Sequence, residues 1–313
     1  MVYVKVIDTT KQISDLVDWL HFRHAPPEPM EPTMYIDLEG VKLSRNGSLS
    51  ILTLLVDTGI PTMSIYIIDV HTLGTQAFTT SGIERTNLKD ILQNERIPKV
   101  FFDVRNDSDI LFAHFGVKLQ GVQDIQLMES ATRTTTGSRK YLSSLVKCVA
   151  DLGHNTASWK LAKETGERLF RSEYGGSYQV FNQRPIPKQI VSYCVGDVQC
   201  LPQLWNSLQR QKARLNVWRD LVCEETRKRV TASQKPEYQP HGANRALAPW
   251  SEAQNKILDE WNEPIRLDDY YDEDRDWDDA YEQHFNSDDD DDWGPESCRD
   301  IISSWDYDCY YSD

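Results

Sequence analysis

The sequence predicts an α/β fold, a mixed sheet covered by helices. Three observations predict it. Apolar runs at 35–40, 49–56 and 65–70 follow closely, with the turn residues Gly59-Ile60-Pro61 between the last two. That pattern reads as an antiparallel meander. Two further short runs, 99–103 and 122–125, alternate with helical patterns at 88–92 and 108–115, giving the order β-β-β-α-β-α-β. Helical periodicity then dominates from 141 to 230.

Taken in order, residues 3–8 form a short β-segment. Thr9 or Thr10 caps a helix over 11–22, which carries Ile13, Leu16, Val17 and Leu20 on one face. Pro26-Pro27-Glu28-Pro29 is a linker into the central strand. The region 132–138 is rich in Thr, Ser and Gly, flanked by Arg133, Arg139 and Lys140, and is expected to be a mobile loop. Helices are expected over 141–152 and 159–170, with a turn at Gly175-Gly176-Ser177. Pro185 and Pro187 precede a helix starting near Lys188, where proline suits the first turn. A long helix covers 205–230, and its basic face, including Arg227, Lys228 and Arg229, reads as solvated.

Charge is unevenly placed. The chain holds 49 acids and 34 Lys or Arg. Residues 237–313 account for 24 of the acids and 5 of the bases, which leaves 25 acids and 29 bases in the body. A mildly basic body suits a polyanionic substrate. The segment 233–313 alternates acids with Trp277, Tyr281 and Phe285 and has too few aliphatic residues for a core, so it is expected to be a disordered acidic tail that could engage a protein partner. Residues 1–232 are expected to be one domain. The six cysteines have no zinc-ligand spacing, and no apolar run approaches a membrane span. The expectation is an intracellular protein with free thiols, in nucleus or cytoplasm, with no membrane partner.

The chemistry centres on Tyr35-Ile36-Asp37-Leu38-Glu39-Gly40. Side chains alternate along a strand, so Asp37 and Glu39 share one face. Two carboxylates on a core strand repel and are costly to desolvate unless a divalent cation joins them. Alone, the pair also fits a solvated edge or an ion pair. Two later stretches add acids. Asp103-Val104-Arg105-Asn106-Asp107-Ser108-Asp109 lies at a strand-to-helix junction, where simple helix capping is the competing reading. Tyr193 and Asp197, spaced i and i+4, share a helix face that continues through Ile190, Leu201 and Leu204 and so points inward.

Together these stretches resemble the DEDD superfamily of 3′–5′ exonucleases, in the subgroup with Tyr in the third motif (the ribonuclease D and Werner-exonuclease type). The resemblance runs over 34–205 and implies a ribonuclease H-like fold with a mixed five-stranded sheet. It places the first motif at Asp37 and Glu39, the third at Tyr193 and Asp197, and the second-motif acid at Asp109, with Asp103 and Asp107 as rivals by spacing. Asp124 resembles the family's fifth-strand acid, and Phe181-Asn182-Gln183-Arg184-Pro185 the lead into the third-motif helix. Phe102 stands where many relatives have His.

The resemblance implies two Mg²⁺ or Mn²⁺ ions about 4 Å apart, bridged by Asp37 and completed by Glu39, Asp197 and Asp109. Tyr193 would orient the attacking water. The implied reaction is hydrolysis of the terminal phosphodiester of single-stranded RNA or DNA, releasing nucleoside 5′-monophosphates from the 3′ end. The alternative is a catalytically weak or inactive nucleic-acid-binding adaptor on the same fold. Basic residues at 133–140 and 160–171 are candidates for the substrate backbone.

Overall fold

A computed structural model describes residues 2–24, 33–57, 63–153, 157–212 and 216–262. The expected linker at 26–29, the turn at 59–61 and the acidic-aromatic stretch beyond 262 lie outside the described residues. Within the unit formed by residues 1–263, the sheet has six strands rather than five. They are β1 (Val2–Ile7), β2 (Met34–Val41), β3 (Ser48–Asp57), β4 (Met63–Asp69), β5 (Lys99–Phe101) and β6 (Val122–Asp124), in the order β1-β4-β3-β2-β5-β6. The meander β2-β3-β4 is antiparallel, as its spacing predicts; β5 and β6 add in parallel beside β2. The sixth strand is the N-terminal β-segment, which pairs in parallel with β4 as an edge.

Helices cover both faces. On one, Ile36, Leu38, Leu52 and Leu54 pack with Ile13, Leu16 and Leu20 of α1 (Thr10–Arg23) and with Ile110 and Leu111 of α2 (Arg105–Phe115). Thr9 caps α1 in a reciprocal capping box with Gln12. On the other face, Tyr35, Ile51, Leu55 and Ile65 pack with Ile125 of α3 (Ile125–Thr132) and with Ile190, Cys194 and Val198 of α5 (Lys188–Gln199). Between them in sequence lies α4 (Ala157–Phe170). The alternation along β2 therefore splits its apolar and acidic side chains between opposite faces. The strand is kinked after Glu39 by a register shift. Gly40 allows it, because a Cβ there would meet the Ser48 carbonyl oxygen at 1.9 Å.

The expected long helix is two described helices, α6 (Leu201–Lys212) and α7 (Asn216–Ser233). Its basic face is not wholly solvated. Arg229 is buried and donates to Asp124 at 2.7 Å. The stretch 132–138 is not an open loop either. A short helix, Thr136–Arg139, turns Arg139 inward onto Asp259 and Asn255.

The domain boundary expected at 232/233 is corrected. Residues 233–262 pack on the body and end in α8 (Glu252–Asn262), which buries Leu258. Trp250 is also buried, and its Nε1 donates to Ser130 Oγ at 2.9 Å. Overall polarity hid this segment, which polar contacts hold as well as apolar ones: Tyr238 donates to Asn106, Gln254 to Glu225 and Asn262 to the Ala131 carbonyl. Trp250→Ala is expected to lower unfolding stability by about 3 kcal/mol, read as a midpoint shift in guanidinium melts. A shift under ~0.5 kcal/mol, the range of ordinary surface changes, would show that the segment is a loose appendage.

Candidate active site

β2 delivers Asp37 and Glu39 to the face covered by α5. Each offers a carboxylate oxygen, as does Asp197 from α5, and these oxygens all lie within 4.8 Å of one another. The local reason is simple. Period-two alternation aims the first pair, and α5 is drawn onto the same face by Ile190, Cys194 and Val198. The third-motif partner Tyr193 is buried and packs edge-on against Phe170, ring centroids 5.3 Å apart.

Of the second-motif candidates, Asp107 lies toward the first-motif acids and Asp109 is bonded elsewhere. Both are buried on α2, two residues and thus about 200° apart on a helix. Asp107 faces the first-motif acids: burial, and then the Asp37 charge, push its carboxyl well up. Asp109 points the other way, accepting the Arg45 backbone N–H at 2.8 Å and Arg45 Nε at 2.6 Å. Asp107, the rival by spacing, is therefore the better-placed candidate for the second-motif acid. Residue counting could not separate them; helix phase does.

The junction holding α2 is built from ion pairs. Asp103 adopts φ +61°, a conformation uncommon outside glycine. Arg105 and Arg245 grip its carboxylate, at 2.8 Å and 2.9 Å from their Nη2 atoms to Oδ2. Burial would push that carboxyl up, but the Arg105 guanidinium, with Arg229 and Arg245, holds it down at about 2. Asp124 is fully buried and accepts the backbone N–H groups of Asp103, Val104 and Gln126 at 3.0, 3.2 and 3.0 Å. The fifth-strand acid thus fixes the turn that aims Asp107. Two members of this network, Arg229 and Arg245, were not anticipated. Arg245 lies in the segment expected to be tail.

The electrostatics suit a cation. Burial, then the neighbouring Asp197 charge, push the Asp37 carboxyl up to about 7. Glu39 is raised well above its ordinary value, first by burial and then by Asp37 and Asp197. Among the described residues, Asp37 Oδ2 is enclosed without a hydrogen-bond partner, a cost that a bound ion would relieve. The donors are all hard oxygens, which suits Mg²⁺ or Mn²⁺ rather than a soft thiolate-seeking metal. Cys194, though buried beside the acids, is held as a neutral thiol by burial and by the Glu39 charge. The acids fit a divalent ion.

Of the basic residues expected along the substrate backbone, several are committed elsewhere. Arg133 pairs with Glu129 at 2.6 Å and Arg171 with Glu167 at 3.0 Å, while Arg139 is buried. Lys160 and Arg168 remain exposed on α4. Lys163 was expected to touch substrate but instead donates to Asp197 and to Tyr193. The lead-in segment is anchored on the sheet side: Asn182 accepts from Ser50 Oγ at 2.6 Å, and Arg184 pairs with Asp69.

A family model described as 3′-5′ exonuclease matches residues 7–212, more than half of the chain. The RNase D of Trypanosoma brucei is similar at 23% identity over 83% of this chain and 82% of its own, with a TM-score of 0.62. Its structure with RNA U12 is similar at 22% identity over 82% and 79%, TM-score 0.60. RNase D of Escherichia coli is similar at 18% identity over 75% of this chain and 51% of its own, TM-score 0.51. No curated protein sequence matches. The fold is that of the RNase D structures, and the chain belongs to the 3′–5′ exonuclease family.

Proposed function

We propose that this exonuclease hydrolyses the terminal phosphodiester at the 3′ end of single-stranded nucleic acid with two divalent ions, releasing nucleoside 5′-monophosphates. The observation that carries the reading is the convergence of Asp37, Glu39 and Asp197 oxygens within 4.8 Å, with Asp107 buried toward them. Asp37, Glu39 and Asp197 would hold one ion and Asp37 with Asp107 the other. Such ions acidify water and neutralise charge on the attacking and leaving oxygens.

The chain's own groups do the rest. Tyr193 stays protonated, because burial and then the Glu39 charge raise its phenol well above the ordinary value. It therefore orients a water by hydrogen bonding and is not the base. The arginine-gripped turn at Asp103 keeps Asp107 fixed. A complete carboxylate set favours activity over the adaptor reading. RNA is the first substrate to try, since the T. brucei RNase D was solved with RNA U12 and with GMP.

The test is shortening of 3′- and 5′-labelled single-stranded RNA and DNA with Mg²⁺ or Mn²⁺. Metal-dependent 3′ shortening to mononucleotides is expected, lost by at least about a thousandfold in Asp37→Ala and Asp197→Ala, a barrier increase of ~4 kcal/mol. Single-strand binding without shortening under either metal would move the assignment to the adaptor.

A further inference from the structure

Lys163 stands in the site by virtue of a glycine. Gly166, three residues later on α4, would place a Cβ 2.5 Å from the Tyr193 Cβ. Only its bare backbone lets α4 pack this closely on α5. Residues i and i+3 share a helix face, so Lys163 is carried against Tyr193 and Asp197. Its Nζ donates to Asp197 Oδ1 at 2.8 Å, to Asp197 Oδ2 at 2.5 Å and to Tyr193 Oη at 3.1 Å. The same ammonium lies 4.3 Å from the Tyr193 ring centroid. Its side chain is 14% exposed.

Here both Asp197 oxygens are engaged, and Asp197 is also one of the three acids whose oxygens converge for a cation. The ammonium therefore sits on the atoms that a divalent ion must use. A fixed positive charge beside such a site lowers its affinity for cations, as added ligand charge raises it.

We propose that Lys163 is a positioning residue of the third motif and a built-in competitor for the metal. It aligns Asp197 with Tyr193, yields an Asp197 oxygen as the ion enters, and thereby sets how tightly the site takes divalent ions. The proposal rests on the metal-dependent reading above. A purely structural Lys163 gives the opposite expectation, since a disordered site would bind metal more weakly when the lysine is lost.

The experiment is calorimetric titration of Mn²⁺ into the full-length, metal-free wild type and its K163M, K163Q and K163R variants, with folding checked by circular dichroism. K163M is expected to bind Mn²⁺ about tenfold more tightly, K163R to stay near wild type, and nuclease kcat to fall in K163M. Unchanged or weaker Mn²⁺ affinity in folded K163M would overturn the proposal. Should K163M not fold, K163Q, which keeps donors but loses the charge, decides by the same criterion. Wild-type protein that binds Mn²⁺ no better than Asp37→Asn would sink the metal-dependent reading as well. Wild-type binding with unaltered variant affinity sinks the Lys163 role alone.

Discussion

Asp107→Asn is expected to abolish 3′ shortening with the fold intact, and Asp109→Asn to do the reverse. The two acids are separated by one residue, and both are buried. Their surroundings differ in sign. Burial, then the like charges of Asp37 and Asp103, push the Asp107 carboxyl up. Neutralising it removes repulsion from the metal-free protein, so stability holds or rises, while a ligand of the active constellation disappears. The expected loss of activity is at least about a thousandfold, or ~4 kcal/mol of transition-state stabilisation. Asp109 is fully buried against Arg45, which also donates to the Ser233 carbonyl at 2.7 Å. Breaking that pair leaves a guanidinium short of its partner, at a cost of about 3 kcal/mol. Guanidinium melts and single-turnover assays on the folded fraction separate the two variants. An inactive, fully stable Asp109→Asn beside an active Asp107→Asn would return the second motif to Asp109.

The contrast shows what was legible in the sequence. Strand alternation is strict enough that Asp37 and Glu39 were placed on one face from spacing alone. The i,i+4 relation did the same for Tyr193 and Asp197. Asp107 and Asp109 required the helix phase, and that phase is set by which side of α2 carries Ile110 and Leu111 into the core. Phase is a tertiary fact: local capping chemistry reads equally well for both acids. Lys163 carried a weak local sign, a lysine three residues before a helical glycine, but its meaning depends on α4 meeting α5 at Tyr193. The strap over 233–262 was hidden for another reason. Its polar average resembles a tail, yet Trp250 and Leu258 are buried and Arg245 pairs with Asp103. Composition averages over residues and does not show which of them dock. The edge strand β1 was visible as a β-segment, but its parallel partner β4 lies more than fifty residues away and is fixed by the sheet, not by local pattern.

The acid cluster also predicts an unusual stability profile. With chelator present, the melting temperature is expected to fall as pH rises from about 4 to about 7, and Mg²⁺ should restore it. Asp37 has a folded-state value of about 7 against 3.8 ordinarily. Within that window the folded state holds the proton and the unfolded chain does not, so the stabilisation present below pH 4 is lost as pH climbs. Glu39, Asp107 and Asp197 shift in the same direction, each first through burial. Asp103 and His24 are among the groups that oppose them. Asp103 is held at about 2 by its arginines against the effect of burial, so its contribution is lost only as pH falls toward 2. His24 is lowered by burial, so it favours folding as pH rises through its ordinary value. The comparison of wild type with Asp37→Asn cancels both. That difference should be a few kcal/mol near pH 7 in chelator, in favour of the variant. It should shrink toward zero at pH 4, and reverse when Mg²⁺ stabilises the wild type by binding its folded state. Parallel wild-type and variant curves across this range, with and without Mg²⁺, would mean that the acids do not confront one another and that no ion is held between them.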